Sequence, residues 1–195
     1  MDPFLIPVQL AIIGLYLWRD AIVARVPEPA RARFSLLAAD VKFCVGTWWK
    51  TILLPVLLIL FTYIVWIQCC RTFFGGVPAL AIEGPLLLHV IASCILAPLS
   101  EQILQGIFLS AVFLAFVRIY QNRLVLSFML LAALMIISLV FASVHINPTP
   151  VNWLVRFSQF MIYGGLYYLN DRNLLPAVVA HATWNAVVGG MAGVA

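Results

Sequence analysis

Residues 124–145 read LVLSFMLLAALMIISLVFASVH, and this stretch decides the fold. It contains a single ionisable side chain, His145, which stands at its carboxyl end. About 20 predominantly apolar residues in a helix are enough to cross the hydrocarbon core of a bilayer. The stretch therefore predicts a membrane-spanning helix that carries a histidine at one end.

The rest of the chain has the same character. Of its 195 residues, 65% are hydrophobic and 9% are charged, whereas soluble domains have about 45–50% apolar and about 25% charged residues. Apolar runs lie at about 4–24, 51–70, 78–99, 101–120, 124–145, 152–169 and 173–194. The sequence predicts an all-α, polytopic membrane helical bundle with about seven transmembrane helices. Residues 1–195 are expected to form a single integral-membrane domain, multi-pass in the cell membrane.

The net charge of +4 does not indicate a nucleic-acid partner. Six of the eleven basic residues lie within residues 19–50, from the end of the first apolar run to the start of the second, where they are typical of cytoplasmic loops that orient a membrane protein. The expected partners are the lipid bilayer and a membrane-anchored protein or peptide substrate. The four cysteines show no metal-ligand spacing with a histidine, which argues against a cysteine-based metal site.

The boundary between the third and fourth runs is predicted from Pro98, because a proline removes a backbone donor and usually ends a helix. Glu101 is then expected to begin the fourth span, with Ser100 as its cap. In this topology Glu101 and His145 lie at the same depth of the membrane. His181 lies about 12 Å into the last span, at about 1.5 Å per residue, so the three side chains are expected to converge.

Ionisable groups are scarce, with seven acidic residues and three histidines in the chain. Such a group within an apolar span is costly and marks a candidate functional site. Each also has a structural alternative. Glu101 and His145 would stabilise helix ends. His181 and Asn185, four residues apart on one helix face, would form hydrogen bonds between helices.

Together these residues have the chemistry of a hydrolase. A carboxylate and an imidazole hold and deprotonate a water molecule, and a second imidazole with an amide donates to a developing oxyanion. This describes peptide-bond hydrolysis without a covalent intermediate and without a cofactor. One carboxylate and two histidines also fit a divalent metal such as zinc, which remains the alternative. Hydrogen bonds to these residues or to the substrate are expected from Gln102, Gln105 and Gln159, with Phe141 and Arg156 nearby.

The motifs Phe141-Ala-Ser-Val-His145 and His181-Ala-Thr-Trp-Asn185 resemble those of the CPBP family, the CAAX-protease or Abi family of glutamate-type intramembrane proteases. The resemblance covers residues 97–188. It implies that Glu101 and His145 activate water and that His181 and Asn185 stabilise the oxyanion. The first motif departs from the family's Glu-Glu-x-x-x-Arg pattern. Gln102 takes the place of the second glutamate, and Gly106 that of the arginine.

The leading hypothesis is an intramembrane endopeptidase that cleaves a membrane-anchored or lipidated protein or peptide near its terminus. By family analogy, a carboxy-terminal sorting anchor is one candidate substrate. The altered first motif favours an alternative, a non-proteolytic membrane protein of the same fold with a bacteriocin-immunity or scaffold role. A third hypothesis, a proton-coupled transporter, would use the same residues as a relay, but the sequence contains no inverted repeat.

Overall fold

The computed structural model describes residues 5–25, 41–43, 45–74, 86–119, 122–144 and 149–192. Within these ranges there are helices and no β-strand. The α-helices are α1 (Leu5–Leu17), α2 (Arg19–Ala24), α3 (Leu54–Phe74), α4 (Leu86–Ile91), α5 (Ala97–Ile119), α6 (Arg123–Val144), α7 (Pro150–Leu169) and α8 (Leu175–Ala192). A 3-10 turn (Val45–Thr47) and a π-helical turn (Trp49–Leu53) precede α3, and a second π-helical turn (Ala92–Leu96) joins α4 to α5. The predicted all-α bundle is confirmed.

Three helical stretches of the described chain are long and apolar enough to cross a membrane. They are Trp49–Cys70, Ala92–Ile119 and Leu124–Val144. Two shorter apolar helices, Ile6–Leu17 and Leu175–Val188, accompany them. The outward faces of the long helices expose large apolar side chains such as Phe61, Ile64 and Phe128. Such surfaces are stable against lipid rather than water, so the protein is an integral membrane protein.

The predicted helix boundary between Pro98 and Glu101 was wrong. The chain is helical without interruption from Leu86 to Ile119, and Glu101 lies in the second turn of α5. The π-helical turn explains why Pro98 is tolerated. Ala97 N–H donates to the carbonyl of Ala92, five residues back, and this wider turn accommodates the proline ring and its missing donor. Ser100 does not cap a helix start, because its hydroxyl donates to the Ala97 carbonyl at 3.2 Å within α5.

Polar residues fix the beginnings of the helices that carry the candidate site. Thr149 caps α7: its hydroxyl accepts from Asn152 N–H at 3.2 Å, and Pro150 occupies the first helical position, where its missing N–H has no consequence. The side-chain oxygen of Asn173 accepts from Leu175 N–H at 3.1 Å at the start of α8. The starting points of α7 and α8 are therefore set locally by sequence.

Two apolar clusters form the core, and α7 contributes to both. The first, shared with α5 and α6, contains Ile103, Leu109, Leu134, Ile137, Tyr167 and Leu174. The second, shared with α3 and α8, contains Ile59, Phe160, Tyr163, Leu166, Ala177, Ala180 and Trp184. Phe141 of α6 packs against both clusters. The predicted site residues on α5 and α8 lie beside these clusters.

Candidate active site

Gln102 of α5 connects directly to His181 of α8. Both side chains are buried, and Gln102 Nε2 lies 3.1 Å from His181 Nδ1. An amide nitrogen can only donate, so Nδ1 accepts and the neutral imidazole carries its proton on Nε2. The glutamine in the first motif therefore selects the tautomer of His181 that carries its proton on Nε2.

Aromatic rings hold the imidazole of His181 in position. Tyr163 of α7 stacks on it with ring centroids 4.8 Å apart and an interplanar angle of 16°. Phe160, one turn before Tyr163, meets the imidazole edge to face with ring centroids 6.1 Å apart. Phe141 of α6 stacks on Phe160 with ring centroids 4.6 Å apart. Phe141 thus supports the site through Phe160. Packing on several sides restricts the ring to one orientation.

Asn185, one turn beyond His181, binds the π-helical turn before α5. Its Nδ2 donates to the carbonyl of Ser93 at 2.7 Å. In a regular helix that carbonyl would accept from Ala97 N–H, which instead donates to Ala92, and the next candidate donor is Pro98, which has no N–H. Asn185 therefore satisfies a carbonyl that the wide turn withdraws from the helical pattern. The bond to Ser93 uses one of the two hydrogens of Nδ2, and the second takes no part in it.

One face of α7 carries the polar side chains of Arg156, Gln159 and Tyr163 at helical spacing. Arg156 is partly buried, and its charge interacts with the Glu101 carboxylate and with Tyr163. Gln159 and Tyr163 are fully buried, and the Gln159 amide nitrogen and the Tyr163 hydroxyl have no hydrogen-bond partner among the described residues. Gln105 is also buried, but its Nε2 donates to the Phe160 carbonyl at 3.0 Å and so supports α7.

The structure brings most of the sequence-predicted site residues into one region. Helices α5 and α8 meet through Gln102 and His181, and α7 adds Arg156. Glu101, adjacent to Gln102, is partly buried. His145 lies outside the described residues, so its predicted partnership with Glu101 stays a prediction.

The metal alternative also stays a prediction. No three His, Cys, Asp or Glu side chains form a possible metal site within the described part of the chain. His145, the third of the ligands proposed from the sequence, is not among those residues. A zinc site needs at least three protein ligands, so Glu101 and His181 would not be sufficient by themselves.

Tyr163 and Ser93 were not identified from the sequence. Tyr163 stands four residues after Gln159 and seven after Arg156, which places all three on one face of α7. That spacing was the available signal. Ser93 contributes only its backbone carbonyl to the contact with Asn185. The pattern of side chains in a sequence does not show which carbonyl loses its helical N–H donor in a π-helical turn.

A family model independently matches the same part of the chain. The model described as type II CAAX prenyl endopeptidase Rce1-like covers residues 83–187. No curated protein and no solved structure matches the chain significantly. The matched segment runs from the residues before α4 to α8, and it includes Glu101, Gln102, His181 and Asn185. The chain belongs to the Rce1-like family of type II CAAX prenyl endopeptidases.

Proposed function

We propose that this protein is an intramembrane endopeptidase that cleaves a prenylated or otherwise membrane-anchored protein or peptide near its terminus. The principal support is the meeting of α5, α7 and α8, which brings Gln102 against His181 and the charge of Arg156 towards Glu101 inside an apolar bundle. Membership of an endopeptidase family supports the reaction class. We further propose a multi-pass location in the cell membrane, where the bilayer delivers the lipid-anchored substrate.

In the proposed reaction, Glu101 takes a proton from a water molecule, with help from His145, while the water oxygen attacks the scissile carbonyl carbon. The carbonyl oxygen becomes negatively charged and accepts a hydrogen bond from His181 Nε2–H. Asn185 offers the second hydrogen of its Nδ2, because the first is bound to Ser93. As the carbon–nitrogen bond breaks, Glu101 returns the proton to the leaving amine. No metal cofactor takes part in this scheme.

The substrate is proposed to lie along the polar face of α7. Arg156 provides a positive charge near Glu101, and such a charge suits the terminal carboxylate of a protein cut close to its end. Gln159 provides a buried amide that can bind a substrate carbonyl. The exposed apolar side chains of the long helices provide a surface on which a lipid chain can lie.

The test uses the full-length protein in detergent and in proteoliposomes, with two fluorogenic peptides. One carries a prenylated CAAX terminus, and the other is unlipidated and ends in an apolar membrane segment. Glu101→Gln keeps the side-chain size and removes the base, so kcat should fall by about 10²- to 10⁴-fold. His181→Ala should lower kcat by about 10²- to 10³-fold. Thr62→Ala is the control, because that hydroxyl donates to the Leu58 carbonyl within α3 and is expected to leave cleavage unchanged.

The two peptides separate the possible substrates. Cleavage of the prenylated peptide supports a CAAX substrate, whereas cleavage of the apolar peptide alone supports a sorting anchor. Cleavage should persist in a metal chelator. Full activity of Glu101→Gln would contradict the proposal. A second outcome would replace the proposal with the non-proteolytic role that Gln102 and Gly106 favour. In that outcome neither peptide is cut, and cells with the Glu101→Gln variant have the same phenotype as cells with the wild-type protein.

A further inference from the structure

The hydroxyl of Tyr163 is a buried polar group that packing alone does not explain. The side chain is 0% exposed, and its hydroxyl has no hydrogen-bond partner among the described residues. The large majority of buried side-chain polar atoms in proteins are paired, and leaving one unpaired is costly. A phenylalanine at this position would fill nearly the same space without that cost. The hydroxyl therefore indicates a partner beyond the described residues, and a bound substrate is such a partner.

The surroundings of Tyr163 indicate what that partner is. The ring lies nearly parallel to the His181 imidazole, with ring centroids 4.8 Å apart, so the two side chains are in direct contact. The Tyr163 hydroxyl also interacts electrostatically with Arg156 and with Glu101. It is thus a hydrogen-bond donor on a ring that contacts an imidazole, within electrostatic range of a cation and a carboxylate. A group that gains negative charge during the reaction fits this environment.

We propose that Tyr163 is a further catalytic residue, whose hydroxyl donates a hydrogen bond to the oxyanion of the tetrahedral intermediate alongside His181 Nε2–H. This inference rests on the proposed endopeptidase function. When the water oxygen bonds to the carbonyl carbon, the electron pair of the carbonyl double bond moves to the oxygen, which Tyr163 stabilises together with His181 and Asn185. Tyr163 keeps its proton throughout. The water proton passes to Glu101 and then to the leaving amine as the carbon–nitrogen bond breaks.

The deciding variant is Tyr163→Phe, which keeps the ring stacked on His181 and removes only the hydroxyl. Loss of one oxyanion donor should lower kcat by about 10²- to 10³-fold, with KM nearly unchanged because the interaction forms in the transition state. The thermal unfolding midpoint in detergent should stay the same or rise, because a buried unpaired group is removed. The matched control is Tyr168→Phe on the same helix. Its hydroxyl donates to the Leu109 carbonyl at 3.1 Å, and its loss is expected to leave kcat unchanged.

The outcomes separate this inference from the proposed function. If the wild type shows no cleavage that depends on Glu101, both the function and the role of Tyr163 are rejected. If such cleavage exists and Tyr163→Phe retains the wild-type kcat, only the role of Tyr163 is rejected. If kcat falls together with the unfolding midpoint, the hydroxyl stabilises the fold and the catalytic role is also rejected. A reduced kcat with an unchanged or raised midpoint is the result that supports it.

Discussion

Gly164 and Gly165 are neighbours on α7, but their surroundings are opposite. A methyl group added at Gly164 would overlap Leu134 Cδ1 and would come within 3.1 Å of Gln105 Nε2 and 3.3 Å of Leu109 Cδ1. The same group at Gly165 would have no atom within 4 Å. Gly164 therefore allows α7 to approach α5 and α6 closely, whereas Gly165 has no such function.

This difference predicts opposite effects of the same substitution. Gly164→Ala should destabilise the protein, because overpacking a core costs about 1–3 kcal/mol and exceeds the helix-propensity gain of about 1 kcal/mol. Gly165→Ala has only the propensity gain and should stabilise. Thermal unfolding of both variants in detergent measures the effect. A Gly164→Ala protein as stable as Gly165→Ala would show that α7 does not pack as described.

At the residue scale, the sequence identified the ionisable side chains but not their contacts. Glu101 and His181 stood out because charge and imidazole are rare in apolar runs. Tyr163 did not, because tyrosine is ordinary in a helix of mixed polarity. Helical spacing shows which residues share a face, but not which neighbouring helix that face meets. The contact of Gln102 with His181 therefore required the structure.

At the scale of the element, the two π-helical turns follow one rule. Ala92–Leu96 ends two residues before Pro98, and Trp49–Leu53 ends two residues before Pro55. Each widens the helix just ahead of a proline, and both pack against α8. The sequence indicates where a donor is missing, but not whether the helix ends or widens there. This is why a break was predicted at Pro98 where the helix continues.

The bond from Asn185 to the Ser93 carbonyl should contribute measurably to this packing. Asn185→Ala leaves that carbonyl without its side-chain donor, which is expected to cost about 1–3 kcal/mol of unfolding free energy. Thr183→Ala on the same helix removes a hydroxyl that donates locally to the Val179 carbonyl at 2.8 Å, and it should change stability by less than about 0.5 kcal/mol. Thermal unfolding of the two variants measures the difference. Equal stability would mean that the π-helical turn does not depend on Asn185.

At the scale of the whole molecule, the bundle was predictable but its long-range connections were not. Apolar content and run length determine that helices form and stay in lipid. A single amide that joins distant segments leaves no periodic signal. Asn173, between α7 and α8, accepts from Lys42 N–H at 2.9 Å and donates to the Lys42 carbonyl at 2.8 Å, across 131 residues of sequence. Its side-chain amide thus bonds both backbone groups of Lys42, as a residue of a neighbouring strand would.

Asn173→Ala should release this connection. The amide of Lys42 loses its acceptor, so residues 41–43 should exchange hydrogen for deuterium faster, while amides within α7 keep their protection. The variant also loses the bond to Leu175 N–H, and three bonds at about 1 kcal/mol each predict a loss of about 2–3 kcal/mol of unfolding free energy.

Asn170→Ala is the matched control for Asn173→Ala. Its amide donates to the Leu166 carbonyl at the end of α7, and this contact is local. Its removal should leave exchange at residues 41–43 unchanged. The segment before α3 is held to the α7–α8 turn by Asn173 only if the two variants differ in this exchange. Equal exchange in both would place its anchor elsewhere, even if both variants were less stable than the wild type.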